Sequence, residues 1–366
     1  MIKATPDIAF IRRLKKESGA DLNQCMQCGN CTVVCKLSPE ESPFPRKEVL
    51  WAAWGLREKL LTDADIWLCH QCGDCSTYCP RGVRPADVLS SLRIQTIEHF
   101  SKAAFLNKWL VKAKYLPLSI GFPLLIIMLI LYFAANFNIE LNPVNYSAFF
   151  PHAWLNISFT AITFLSYTLF YFSLKTFYNK IKLHFPKREE KTAWRTSFLL
   201  ALKEFAVHEK FGKCQQNRYR QIAHLLVVYG FTGLLAVTAF AIIAVLIEAY
   251  PMPFLHPVKI AGNIFGLAMI AGLVMMIIQR LKKDDAVAKT SFADWSFLIS
   301  FLLLVLSGFM VEFARFANSV SGYYFYVFHL LCMWYVVIYL PFTKFAHIAY
   351  RFVAIMFMKR IGREMT

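Results

Sequence analysis

CMQCGNCTVVC (residues 25–35) and CHQCGDCSTYCP (residues 69–80) share one spacing, C-x2-C-x2-C-x3-C, and hold eight of the ten cysteines. A cubane iron–sulfur cluster needs four thiolates converging from different directions. A tight loop supplies three, and in two-cluster ferredoxins the fourth comes from the other run. The spacing therefore predicts one [4Fe–4S] cluster on Cys25, Cys28, Cys31 and Cys79, and a second on Cys69, Cys72, Cys75 and Cys35. Gly29 and Gly73 let the loop backbone approach the inorganic sulfurs. Zinc sites show ligand pairs with a longer gap, and disulfides do not suit a cytoplasmic domain. Lys36 follows the first run where Pro80 follows the second, a departure that touches no ligand. Between the runs, residues 45–61 read as one helix with Leu50, Trp54 and Leu61 on its apolar side and Pro45 at its start. An all-helical ferredoxin domain follows. His70 lies within the second run and is expected to hydrogen-bond or be exposed, because four thiolates already complete each cluster.

Outward from this domain the texture changes. The whole chain is 57% hydrophobic and 17% charged, with a net charge of +17. Soluble proteins average about a quarter charged, so a wholly soluble chain is excluded. The apolar residues collect in six segments, near 118–137, 153–174, 222–248, 258–280, 294–316 and 324–347. Each has the roughly 20 residues that span a bilayer. The first begins too far along the chain for a signal peptide. The basic residues sit in alternate loops: Lys187, Arg188, Arg195, Lys210, Arg218 and Arg220 in one, Arg280, Lys282, Lys283 and Lys289 in the next, and Arg351, Lys359, Arg360 and Arg363 in the tail. Basic loops stay cytoplasmic, which places both termini in the cytoplasm around an even number of spans in a prokaryotic inner membrane. The charge is a topology signal, and nucleic-acid binding is not expected. The expected fold is all-α: residues 1–116 a two-cluster ferredoxin domain, residues 117–366 a six-span bundle of cytochrome b type.

Histidines in spans are functional candidates by default. His329 and His347 are 18 residues apart, about five turns of one helix, so one face would carry an imidazole near each leaflet. Two stacked haems b, each held by two imidazoles, need that arrangement. By depth, His224 and His347 form the inner pair. His329 is outer, with His256 preferred as its partner and His152 the alternative. Arg220, Lys344 and Arg351 inside, and Arg315 outside, are placed to pair with haem propionates or to snorkel to the interface. Glu248, Glu312 and Arg315 lie at outer span ends and are quinone-site candidates, although Glu312 and Arg315 also suit an i, i+3 ion pair. Cys332 reads as a packing residue, and no role attaches to Cys214. No glycine-rich nucleotide motif is present, so a flavin is not expected in this chain.

The two cysteine runs in a short helical domain resemble the small iron–sulfur subunit of heterodisulfide reductase. The pattern of His224, His256, His329 and His347 resembles the membrane cytochrome b of the same enzyme and, more distantly, the gamma subunit of nitrate reductase, in which a second histidine stands ten residues into the span that His224 opens; Leu234 occupies that position here. Both halves in one chain resemble the fused iron–sulfur and cytochrome b chains of quinone-interacting membrane-bound oxidoreductase complexes. The resemblance implies electron transfer between menaquinone and two cytoplasmic flavin and iron–sulfur proteins related to the flavoprotein of heterodisulfide reductase, serving adenylylsulfate reductase. The alternatives are the equivalent membrane chain of a heterodisulfide-reductase or sulfite-reduction complex, and a non-redox membrane anchor for a ferredoxin domain.

Overall fold

The structure, a computed structural model, describes all residues except 1–4, 40–41, 135–138, 141–143, 186–189, 208–217, 247–252, 254, 283–289 and 364–366. Among the described residues there is no strand. The first unit contains α1 (Ile8–Ser18), α2 (Asn30–Val33), α3 (Arg46–Ala53), α4 (Arg57–Leu61), α5 (Asp74–Thr77) and α6 (Pro85–Phe100). Asp7 starts α1 by accepting the Phe10 amide, and Gly19 ends it in the left-handed region. Helix α1 packs on α6, burying Leu14 against a core that includes Val88, Leu89 and Leu92. The single helix expected over residues 45–61 is instead two, α3 and α4, because the chain turns at Gly55, whose carbonyl accepts the Asp7 amide at 3.0 Å.

Helix α7 (Ala104–Val111) leads into the apolar half: α8 (Leu116–Ala134), the short α9 (Tyr146–Phe149), α10 (His152–His184), α11 (Trp194–Val207), α12 (Arg218–Leu246), α13 (Pro257–Leu281), α14 (Phe292–Phe316), α15 (Ser321–Tyr339) and α16 (His347–Arg360). Among the described residues, six segments are long and apolar enough to cross a membrane: Ala113–Phe133, His152–His184, Arg218–Ala244, Pro257–Leu281, Phe292–Phe316 and Ser321–Phe342. They match the six expected from the sequence, and the protein is a multi-pass membrane protein. Exposed Phe164, Tyr171, Phe240, Ile264 and Leu267 supply the lipid-facing surface.

The last span is the axis of the bundle. Half of its apolar window is buried, against 28% or less for the others. One side of α15, through Tyr326, Leu330, Trp334 and Ile338, packs with α7 to α10. The other, through Cys332 and Val336, packs with α12, α13 and α14, so Cys332 is the packing residue expected of it. Helices α12 and α13 approach closely at Gly230, where a Cβ would stand 2.7 Å from that of Met269.

The sixth span is shorter than expected. Helix α15 stops at Tyr339, and two 3-10 turns, Leu340–Phe342 and Lys344–Ala346, carry the chain into α16. Pro341 cannot donate to an α-helical ladder, which is the local reason for the break. His329 and His347 therefore belong to different helices, and five turns of one helix do not align them.

Helix α16 turns back onto the ferredoxin unit. Trp67 stacks on Tyr350 with centroids 5.5 Å apart, and Phe177 of α10 meets both rings. His184, at the end of α10, shares a hydrogen bond with Thr62, and Arg220, at the start of α12, donates to the Gln71 carbonyl. The ferredoxin unit and α16 thus occupy one end of the bundle.

Beyond α16, the buried Arg363 pairs with Asp65 at 2.8 Å and donates to the Ser42 carbonyl at 3.1 Å. Lys47 sits within 3.1 Å of Glu48, Asp63 and Asp65, all three fully buried. Those carboxylates have the spacing of a cation site, but the Lys47 ammonium already stands among them. Burial raises the Glu48 carboxyl well above its ordinary range. Removing one partner of a buried ion pair costs about 3–5 kcal/mol. Arg363→Ala should therefore lower the thermal-unfolding midpoint markedly, with Arg363→Lys recovering part of it. Equal midpoints for Arg363→Ala and the parent would show that the contact contributes nothing.

Candidate redox centres

The two cysteine runs fold into two copies of one turn. Each places a glutamine, Gln27 or Gln71, in the left-handed region, then Gly29 or Gly73 at φ of 88° or 91°, then the short helix α2 or α5. Cys28 and Cys31 thereby face Cys25, and Cys72 and Cys75 face Cys69. One cavity is lined by Cys25, Cys28, Cys31 and Cys79. A second is lined by Cys35, Cys69, Cys72 and Cys75. The fourth thiol of each set comes from the other run, because α2 and α5 lie side by side.

Amides converge on these sulfurs. The Gln27 Nε2 amide donates to Cys25 Sγ at 3.1 Å, the Gln71 backbone N–H to Cys69 Sγ at 3.2 Å, and the Val83 N–H to Cys79 Sγ at 3.4 Å. Burial pushes the Cys35 thiol up to about 12 and Cys31 up to about 11, and neighbouring thiols add to both shifts. Four crowded thiols cannot all ionise without a compensating cation. A donor set of four sulfurs with N–H groups aimed at them fits an iron–sulfur cluster in each cavity.

The second cavity lies against the membrane half. Arg93 donates to the Cys69 carbonyl at 2.7 Å. Arg351 reaches His70 Nε2 at 2.7 Å and the Cys69 carbonyl at 3.4 Å. Arg351 lies one turn beyond His347, and Arg220, bonded to Gln71, one turn before His224. Arg220 and Arg351, for which the sequence offers propionate pairing or interfacial snorkelling, contact the cysteine loop, and Lys344 forms an ion pair with Asp294. His70 has the hydrogen bond expected of it.

His224 and His347 come together, with ring centroids 6.5 Å apart and planes at 73°. His347 Nδ1 bonds the Lys344 carbonyl, which fixes the ring and leaves Nε2 as the nitrogen that could hold a metal. Burial lowers the His347 pKa to about 3, so the imidazole is neutral, the form that binds a metal. Two neighbouring imidazoles fit a haem iron, which His224 and His347 would hold.

The outer histidines are arranged differently from expectation. His329 Nδ1 bonds Ser307 Oγ of α14 at 2.9 Å. His256 caps α13, its Nδ1 accepting the Val258 amide at 3.3 Å. Among the described residues these two share no ring contact. Lys259, one turn below His256, pairs with Glu312 at 3.6 Å, and Glu312 lies five residues outside Ser307. At 1.5 Å per residue, His256 stands about 12 Å farther out than His329. His152 is closer in depth: Phe159 packs on Trp334, which sets His152 within about 3 Å of His329 along the bundle axis. Yet His329 turns to α14, whereas Tyr326, Leu330 and Trp334 form the face that meets α10. Among the described residues His329 bonds Ser307 and His256 bonds its own helix start.

Of the outer carboxylates, Glu312 pairs with Lys259 on the neighbouring helix. Glu248 and Cys214 lie outside the described residues. Sequence reasoning singled out Arg220 and Arg351 without their contact to the Cys69–Cys72 loop, and missed Arg93. Their only local signal was the placement of Arg220 and Arg351 one turn from a histidine.

Comparison with known families gives two matches. A family model described as Citrate utilization protein B covers residues 107–365, and one described as 4Fe-4S dicluster domain covers residues 21–83. No curated protein and no solved structure matches the chain. The N-terminal unit is thus a ferredoxin-type iron–sulfur domain, joined to a helical membrane domain in a manner that fits an electron-transfer subunit.

Proposed function

The chain belongs to the Citrate utilization protein B family, and we propose that it passes electrons between a soluble flavoprotein and quinone in the membrane. One observation carries this reading: a continuous series from the His224–His347 pair, through the cavity of Cys35, Cys69, Cys72 and Cys75, to the cavity of Cys25, Cys28, Cys31 and Cys79. When bound, haem b and two [4Fe–4S] clusters supply one-electron steps along that series. Arg93, Arg220 and Arg351 clamp the Cys69–Cys72 loop against the histidine end. At the far end Cys28 is exposed, with Met26, Val33 and Tyr78 open around it, a surface suited to a soluble partner. In this reading the ferredoxin domain and both termini are cytoplasmic, as the basic loops require.

The family description speaks of citrate utilization, and in this reading the soluble flavoprotein acts there, with menaquinone or a related quinone as acceptor. The second reading rests on the resemblance of the cysteine runs and histidines: flavin and iron–sulfur partners related to the flavoprotein of heterodisulfide reductase, serving adenylylsulfate reductase. A second haem would use His329, with His152 or His256 opposite. His152→Ala and His256→Ala, compared side by side, should identify that ligand by loss of one haem; retention of both haems in both variants would remove either histidine from the assignment.

The purified protein should show a reducible b-type absorbance that is reoxidised by a menaquinone analogue. A protein with iron–sulfur clusters but no such absorbance would be an anchored ferredoxin, and the proposal would fail.

A further inference from the structure

The two cysteine loops resemble each other beyond their own backbone. In each, the residue after the third cysteine bonds the start of the helix that follows its run. Thr32 Oγ1 accepts the Arg46 amide of α3 at 3.4 Å, and Ser76 Oγ accepts the Ala86 amide of α6 at 3.1 Å. Arg46 and Ala86 each follow a proline, Pro45 and Pro85. They therefore hold equivalent places in the two copies. Each also meets the left-handed glutamine of its loop, Gln27 or Gln71. The residue type at this place differs, and so does the direction in which the glutamine amide points.

In the first copy the Arg46 Nε–H donates to Gln27 Oε1 at 3.3 Å. A guanidinium only donates, so the amide oxygen must face it and the amide nitrogen is turned the other way. That nitrogen donates to Cys25 Sγ at 3.1 Å. In the second copy the alanine side chain has no donor to offer. Gln71 Nε2 donates instead to the Ala86 carbonyl at 3.1 Å, and it is the Gln71 backbone N–H that reaches Cys69 Sγ. Arg46 also lines the first cavity. A cation on the amide oxygen polarises the amide and strengthens its N–H as a donor. Hydrogen bonds to the sulfurs are among the groups that set the potential of an iron–sulfur site, because they favour its more negative, reduced state.

We propose that Arg46 and Gln27 are a positioning pair that raises the reduction potential of the first iron–sulfur site. Arg46 orients the Gln27 amide, and the amide stabilises the negative charge that Cys25 Sγ gains when one electron arrives from the soluble flavoprotein. No bond forms or breaks in that step and no proton moves. A raised potential favours uptake of the electron at the end where Cys28 is exposed. The inference deepens the electron-transfer reading above. It rests on the iron–sulfur assignment of the cavity of Cys25, Cys28, Cys31 and Cys79, and not on the haem.

The test is a redox titration of the full-length protein in nanodiscs, poised with dithionite and mediators and followed by electron paramagnetic resonance. The signal lost in Cys28→Ala marks the first site. Gln27→Met and Arg46→Ala should each lower that site's midpoint potential, so that its reduced-to-oxidised ratio at a fixed potential falls several-fold, the size expected for a lost hydrogen bond to a charged group. Arg46→Lys should recover part of the fall. The double variant should fall no further than Gln27→Met alone, because Arg46 acts through the amide. Gln71→Met, whose amide bonds a carbonyl, should leave the second site at its parental potential. Acid-labile sulfide checks that each variant keeps both clusters, and Gln27→Asn, whose shorter side chain falls short of Cys25, takes the place of Gln27→Met if that protein loses sulfide. A parental potential in the Gln27 variant, or a further fall in the double variant, would overturn the pair. A parent with no cluster signal would remove the iron–sulfur assignment and the pair's role together. Cluster signals without a b-type absorbance would instead fail the quinone reading and leave the titration of the pair valid.

Discussion

Cys79→Ala should remove one iron–sulfur cluster and leave its neighbour, and the one lost should be that of the first cysteine run. Cys79 lies in the second run, so a ligand scheme in which each run closes its own cluster gives the opposite outcome. The cavity geometry gives the reason. Cys79 stands with Cys25, Cys28 and Cys31, whereas Cys35 stands with Cys69, Cys72 and Cys75. The mirror variant, Cys35→Ala, should spare the first cluster and lose the second. Acid-labile sulfide should fall by about half in either protein, because each of the two clusters holds half of it and the haem none. Electron paramagnetic resonance of the reduced variants distinguishes the cases. Only the Cys35→Ala protein should lose coupling between a cluster and the haem, since its cavity is the one touched by Arg220 and Arg351. Loss of the second-run signal in Cys79→Ala would show that the ligands do not cross.

His347→Ala should abolish one b-type absorbance entirely, and His224→Ala should abolish the same one. In the proposed reading both imidazoles would hold the haem together, so removing either would loosen it or release it from the protein. The two rings lie close enough to serve one iron, and the His347 ring is held by the Lys344 carbonyl. Both variants should retain full iron–sulfur signals, because Arg93 grips the Cys69 carbonyl independently of either histidine. A variant that keeps both absorbances would break the inner pair.

Much of this was legible in the chain itself. The six spans follow from apolar run length, and a bilayer permits little else. The cysteine runs fix two loops because 2-2-3 spacing dictates local backbone shape. The pairing of His224 with His347 follows from depth alone, although no single helix carries both His329 and His347. Pro341 is visible in that apolar run, but an apolar run carries no sign of whether a proline kinks a span or ends it. What could not be read were contacts between residues far apart in the chain. Arg363 meeting Asp65 and Arg351 meeting His70 depend on how α16 docks. No periodicity encodes that docking. The outer partner of His329 is hard to read for a related reason: a proline beside His256 marks a helix start, and here the imidazole nitrogen serves as the cap.

The buried Arg363 has a consequence for how the molecule is made. The ferredoxin unit is translated before any span, yet its acidic interior receives its closing cation from a residue that follows the sixth. A lobe that emerges ahead of the bundle is accordingly completed after it, once every span has entered the bilayer.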